Sequence, residues 1–301
     1  MEFLRKLFRQ PKPEPAPVLD GTTTAPLSDQ KIQAIIQNQN PHYETQQLIA
    51  ASGQSVGKQR EHNEDSLLAI TSTISGNSSG IPFGLYIVAD GMGGHQFGEV
   101  ASNAATRILA GHVMRAFHSY MFNLPTQPMQ EPLQEIMEAA ISDAHRFVQR
   151  EAPGSGTTLT AALVLGGQMT IAHVGDSRAY SILPDGRVQP LTRDHSLVKR
   201  LEELGHLSAD EAANFPHRNV LIRALGQGDT LDADIFTVPF PQPGYLMICS
   251  DGLWSVIADQ DIYRAVAEAP NLHRACQNLV EAANLAGGPD NISVVLVQLI
   301  G

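Results

Sequence analysis

Residues 157–191 read TTLTAALVLGGQMTIAHVGDSRAYSILPDGRVQPL, and this stretch decides the fold class. Thr157–Leu165, Met169–Val174 and Arg178–Leu183 are strand-length runs rich in Thr, Val, Ile and Tyr. Asp185-Gly186 is a hairpin turn signal between Arg178–Leu183 and Arg187–Leu191. Consecutive strands on such short turns pair antiparallel, because a parallel connection needs a crossover of roughly a dozen residues. Upstream, Phe83–Ala89 is an apolar strand ended by Asp90-Gly91, and Gly98–Phe122 and Glu131–Arg150 carry helical periodicity around a Pro-rich link. Downstream, Ser196–Leu204 and Ser208–Asn214 are predicted helices, the second with Ser208 and Glu211 at capping-box positions. Tyr245–Ser250 reads as a buried strand, Asp259–Ala269 and Asn271–Ala286 as helices, and Ile292–Ile300 as a final strand. Paired helices between groups of antiparallel strands place helix layers outside sheet, so the expectation is one α+β domain over residues 48–301.

Composition narrows the function. The chain has 301 residues, of which 43% are hydrophobic and 17% charged, enough for a sizeable core. Twenty Lys+Arg against 31 Asp+Glu leave a net charge of −11, which argues against a nucleic-acid phosphate binder. Cys249 and Cys276 are the only cysteines, which excludes a disulfide scaffold and multi-Cys metal sites and fits a reducing, cytoplasmic setting. No apolar run approaches the ~18 residues that span a bilayer, and no signal peptide is expected. Residues 1–47 differ from the rest: a basic stretch, MEFLRKLFRQPK, is followed by a Pro-rich and polar linker. They read either as a membrane-surface or partner-docking anchor or as a frayed tail.

The acids carry the chemistry. Leu85–Gly91 and Leu246–Gly252 each run an apolar strand into Asp-Gly, at Asp90-Gly91 and Asp251-Gly252. A strand that ends in a carboxylate delivers it rigidly to a sheet edge, and the adjacent glycine lets the backbone approach closely. Asp176 lies between two strands, Asp290 stands just before the last one, and Arg60 precedes Glu64 and Asp65 at the start of an apolar segment. Carboxylates and a backbone carbonyl suit a hard cation such as Mg2+ or Mn2+. Two such ions about 3.5–4 Å apart would acidify a water between them. Arg60 would supply the planar donor that a phosphate dianion prefers. Carboxylates, metal and Arg together are the chemistry of phosphoester hydrolysis. There is no H-E-x-x-H, and neither cysteine has an Arg six residues on, so the reading leaves no covalent nucleophile.

The chain resembles the metal-dependent, type 2C serine/threonine protein phosphatases, bacterial branch, over about residues 49–299. The motifs stand in family order: Arg60…Asn63-Glu64-Asp65, Val88–His95, Ser155–Thr158, Val174–Arg178, Leu191–Ser196, Leu221–Gly226, Cys249–Trp254 and Pro289–Ser293. The resemblance implies a four-layer α-β-β-α sandwich with two central antiparallel sheets and the metals in a cleft at one end. It implies that Asp90 bridges two Mn2+ or Mg2+ ions, with Asp251 and Asp290 completing the first site. The Gly91 carbonyl and Glu64, through water, would serve the second site, with Asp65 in the same hydrogen-bonded shell. Asp176, with Asp251, would hold a third ion. Arg60 would bind the substrate phosphate, and residues 195–219 would form a flap that sets selectivity. Met92 stands where some members have a histidine that protonates the leaving group. His95 and a metal-bound water are then equal candidates for that acid.

The expected activity is hydrolysis of phosphoserine and phosphothreonine by attack of a bimetal-bridged hydroxide, reversing the work of a cognate serine/threonine kinase. The expected protein is a monomer acting on phosphoproteins. Two rivals are a non-catalytic phosphoprotein-binding relative and a metal-dependent phosphoesterase for small molecules.

Overall fold

The apolar runs of the central strands are buried on both faces, and this double burial sets the layering. The computed structural model describes residues 46–74, 81–93, 96–123, 129, 131–208, 211–212, 215–216 and 219–301. The segment before residue 46, which the sequence reading assigns to an anchor or tail and a linker, lies outside the described residues. In chain order the elements are β1 (Gln47–Ser55), β2 (Asp65–Ile74), β3 (Ile81–Met92), α1 (Gln96–Phe122), α2 (Leu133–Glu151), β4 (Gly156–Thr157), β5 (Leu159–Leu165) and β6 (Gln168–Val174). There follow β7 (Arg178–Ile182), β8 (Val188–Pro190), α3 (Leu197–Glu203), β9 (Asp234–Pro239), β10 (Tyr245–Cys249), α4 (Asp251–Trp254), α5 (Asp259–Ala267), α6 (Leu272–Leu285) and β11 (Ile292–Ile300).

The strands form two antiparallel sheets, ordered β1-β11-β10-β7-β8 and β2-β3-β5-β6-β9, with β4 paired to β3. Side chains alternate across each strand with period two. In β3, Phe83, Leu85 and Ile87 pack with α1 and α2, while Tyr86 and Val88 face the other sheet. In β11, Val294 and Leu296 pack with α5 and α6, while Val295, Val297 and Leu299 meet Tyr86 and Val88 between the sheets. Each such aliphatic side chain contributes about 1.5–3 kcal/mol of burial, and the inter-sheet layer locks the two sheets face to face. The result is the expected four-layer sandwich. Local signals hold at helix starts: Ser196 Oγ accepts from Lys199 N at 3.3 Å, and Asn271 Oδ1 from Arg274 N at 2.9 Å. The Ser208–Glu211 capping box also forms, with Glu211 Oε2 accepting from Ser208 N at 2.8 Å.

Three details differ from the sequence reading. Asp90-Gly91 does not end β3, which continues to Met92, with Asp90 opposite Asp65 and Gly91 opposite Thr157. The run Thr157–Leu165 breaks at Thr158, because Thr158 turns its N–H onto Asp90 O (2.8 Å) while Thr157 bridges to Leu225. Strands β1, β2 and β9 carry no strong apolar alternation, and all three are sheet edges. Among the described residues no helix is long and apolar enough to cross a membrane.

Candidate active site

Both sheets deliver acids to one end of the sandwich. Asp90 is held in β3 by Thr158, whose Oγ1 accepts from Asp90 N at 3.0 Å. Next to it, a Cβ on Gly91 would lie 2.2 Å from Gly98 O, so only glycine fits against the start of α1. Gly91 N donates to Glu64 O at 3.2 Å, and Ser102 Oγ donates to the same carbonyl at 2.6 Å. This places Glu64, just before β2, beside Asp90. From the other sheet, β10 ends at Cys249 and Asp251 opens the short helix α4. Gly252 lets that helix abut the start of β11, since a Cβ there would sit 2.1 Å from Asn291 O. Asp290 lies in that same stretch, and Arg60 Nη2 donates to its Oδ2 at 2.7 Å. Asp176 occupies the turn after β6, where Trp254 Nε1 donates to its backbone oxygen at 3.0 Å.

Arg60, Glu64, Asp90, Gly91, Asp176, Asp251 and Asp290 thus line one cleft of about 570 Å3. Asp65 does not line it. Its carboxylate is buried behind the cleft, where Oδ2 accepts from Ser250 Oγ (2.8 Å) and Ser293 Oγ (2.7 Å). On the flap side Asp176, Asp251 and Asp290 also border a groove of about 710 Å3, walled by Trp254 with Ser196, Val198 and Lys199. Arg178 lies over the Trp254 ring at 3.4 Å and grips Asp194 through two hydrogen bonds of 2.8 and 2.7 Å.

So many acids in one place resist ionisation. Burial, then Asp65 and Asp251, pushes Asp90 well above the usual carboxylate range. Burial and then Asp290 raise Asp251 to about 6, and burial and then Asp251 raise Asp176 to about 8. Burial likewise brings Asp65 to about 7. Arg60 is held in its charged form chiefly by its bond to Asp290. Asp251 Oδ1 is buried with no hydrogen-bond partner. A buried, unpartnered carboxylate oxygen among like charges is costly unless a cation meets it. Among the described residues no three acids, His or Cys already stand as a closed ligand set around one point. The donors are nevertheless of the right kind, hard oxygens from several elements facing a shared cleft, and they fit divalent cations of the Mg2+ or Mn2+ type.

Comparison with known proteins decides the family. A family profile described as "Protein phosphatase 2C" matches residues 52–286. The chain belongs to the protein phosphatase 2C family. It is 36% identical over 244 residues to the serine/threonine phosphatase stp of Listeria innocua, covering 80% of this chain and 92% of that protein. The fold of the Mycobacterium tuberculosis serine/threonine phosphatase PstP/Ppp matches with a TM-score of 0.68 at 30% identity, covering 85% of this chain and 100% of that one. The catalytic domain of PstP in complex with two manganese ions matches with a TM-score of 0.68 at 29% identity, again over 85% of this chain and all of that one.

In this protein phosphatase 2C, Met92 lines the cleft wall, whereas His95 lies outside the described residues. Of the flap, Ser196 and Asn219 border the cleft or its groove, while residues 209–210, 213–214 and 217–218 lie outside the described residues. The sequence reading counts the G-x-S-x-G of a nucleophile elbow as absent, but Gly53-Gln54-Ser55-Val56-Gly57 has that spacing. Ser55 instead ends β1, and its Oγ accepts from Gly57 N and Asn284 Nδ2, both at 3.1 Å, so it closes a turn. Thr158, Asn291 and the Arg178–Trp254–Asp194 cluster also escaped the sequence reading. All of them sit inside the quoted motifs, but their partners lie 16 to 235 residues away along the chain.

Proposed function

We propose that this protein phosphatase 2C hydrolyses phosphoserine and phosphothreonine in protein substrates, using divalent cations held by the cleft acids. The observation that carries the reading is the convergence of Asp90, Asp176, Asp251 and Asp290, from four separate stretches of the chain, on one cleft beside Arg60. Asp90, Asp251 and Asp290, with the Gly91 carbonyl and Glu64, would hold two ions, and Asp176 with Asp251 a third. Bound there, Mn2+ or Mg2+ supplies an acidified water and positive charge against the phosphate oxygens. The chain's own groups do the rest. Arg60, half-exposed at the rim, gives the phosphate a planar pair of N–H donors. Asp65, held by two serine hydroxyls, fixes the β2 end that presents Glu64. Met92 has no proton to give, so the leaving alkoxide takes its proton from His95 or from water.

Residues 48–301 form the catalytic domain in this reading, with residues 1–47 as a separate segment. The enzyme acts as a cytoplasmic monomer opposite a serine/threonine kinase. The test is release of phosphate from a phosphothreonine peptide with Mn2+ and with excess chelator, in wild type and Asp90→Ala. Turnover should need the metal and fall at least ~10^3-fold in the variant. Turnover that survives exhaustive chelation would sink the proposal. Faster hydrolysis of nucleotides than of the peptide would favour the small-molecule phosphoesterase.

A further inference from the structure

Between β1 and β2 the chain runs through residues 56–64 without regular structure, and this segment carries both Arg60 and Glu64. A stretch with no ladder of its own must find partners elsewhere or move. Here one buried amide supplies them. Asn291 Nδ2 donates to Val56 O at 2.8 Å and to His62 O at 2.9 Å, while its Oδ1 accepts from Glu64 N at 2.7 Å. Both N–H bonds and the oxygen are used. The reverse orientation would set the amide oxygen against two carbonyls, so only one orientation satisfies the site. Asn291 is 4% exposed and is itself immobilised. It stands immediately before β11, its backbone oxygen accepts from Ser250 Oγ at 3.3 Å, and Gly252 packs against the same oxygen. Gly288 O adds two bonds to the middle of the segment, from Lys58 N (2.8 Å) and Gln59 N (3.1 Å).

We propose that Asn291 is a positioning residue: its amide staples both ends of the 56–64 loop and so sets where the Arg60 guanidinium meets the substrate phosphate. The proposal rests on the reading of Arg60 as the phosphate-binding group. Its physical basis is reach, since Arg60 has a long side chain on a loop that no sheet or helix holds. A shift of about 1 Å in a positioning element can cost up to ~10^2-fold in catalysis.

The test uses the full chain and compares wild type, Asn291→Leu, Arg60→Ala and the double variant. Leucine keeps the branched shape of the buried side chain and removes all three bonds. Amide hydrogen exchange should quicken within residues 56–64 and stay unchanged in β3, β10 and β11. KM for a phosphothreonine peptide should rise about tenfold in Asn291→Leu with a smaller loss in kcat. In the Arg60→Ala background the same substitution should change KM less than about twofold, because the group it positions is gone. Unchanged exchange in the loop, or KM costs that multiply in the double variant, would overturn the proposal. If Arg60→Ala leaves KM unchanged, the phosphate reading of Arg60 fails by itself, and the exchange data still decide whether the staple exists. Should Asn291→Leu fail to fold, Asn291→Ser carries the same comparison, and global unfolding of both would refute a role confined to one loop.

Discussion

Replacing Asp251 with Asn tests the electrostatics of the cleft, because two effects should move in opposite directions. Asp251 is held at about 6 instead of its ordinary 3.8, chiefly by burial and then by Asp290. A carboxyl whose pKa rises on folding contributes stability that is complete below pH 3.8 and is lost as pH climbs through 6. At roughly 1.4 kcal/mol per pH unit, its charge costs the folded chain about 3 kcal/mol above pH 6. Asp251 Oδ1 is sealed from solvent, but the residue as a whole is only half-buried, so screening trims the figure to about 2–3 kcal/mol. Asp251→Asn keeps the side-chain volume and removes the charge. In excess chelator at pH 7.5 the variant should therefore melt higher than wild type, by roughly 4–12 °C for a domain of this size. Mn2+ at a hundredfold over its Kd should stabilise wild type by about 2.7 kcal/mol and leave the variant unmoved. Calorimetry of both proteins, with chelator and with Mn2+, reads the two effects in one experiment. The chelator difference should shrink toward zero below pH 4. A variant that melts at or below wild type in chelator would refute the repulsion argument. A variant that keeps the full Mn2+ shift would remove Asp251 from the metal site.

Arg60→Ala should raise KM substantially with a smaller fall in kcat, and Arg60→Lys should recover only part of the binding because the planar fork is lost. An unchanged KM in both variants would take Arg60 out of the site. Asp176→Ala should slow phosphothreonine hydrolysis more than aryl phosphate hydrolysis at saturating Mn2+, since a phenolate leaves unprotonated and an alkoxide does not. Equal losses would tie Asp176 to the metal site in general. Burial and then the neighbouring His195 hold His173 down at about 4 from its ordinary 6.5. A base depressed by folding contributes stability that is full above pH 6.5 and is lost as pH falls toward 4, about 3 kcal/mol in all. His173→Gln should flatten that part of the acid limb in denaturant titrations, and a slope equal to wild type would count against it.

What can be read from the chain alone follows from local physics. The strands found without structure, β3, β5, β6, β7, β10 and β11, are interior members of their sheets, with most of their residues buried. Burial on both faces demands an unbroken apolar run, and such a run shows in sequence. The hairpin to β8 announced itself through Asp185-Gly186, because that turn needs those residue types. Strands β1, β2 and β9 are edges, with one side and part of a face in water, so their composition is mixed and no pattern marks them. The same logic applies to the acids. Asp90, Asp176, Asp251 and Asp290 were legible as site residues because in the sequence each stands within two residues of an apolar run, where a charge has no structural reason to be.

Only the tertiary structure decided how those acids are served. Asp65 and Glu64 are neighbours in sequence, yet Asp65 opens β2 and enters a buried pocket of serine hydroxyls, while Glu64, still in the preceding loop, lies on the cleft wall. Ser250 and Ser293, which hold Asp65, lie 185 and 228 residues from it. Thr158 breaks a run that reads as one strand, because its hydroxyl and N–H are worth more against Asp90 than in the ladder. Asn291 reads as part of a helix stop and strand start, and nothing local says that its amide reaches back across 227 residues to Glu64. Periodicity, capping and turn chemistry act between near neighbours and therefore leave a trace in the sequence. A hydrogen bond between residues brought together by the packing of two sheets leaves none, and it exists only once the fold has formed.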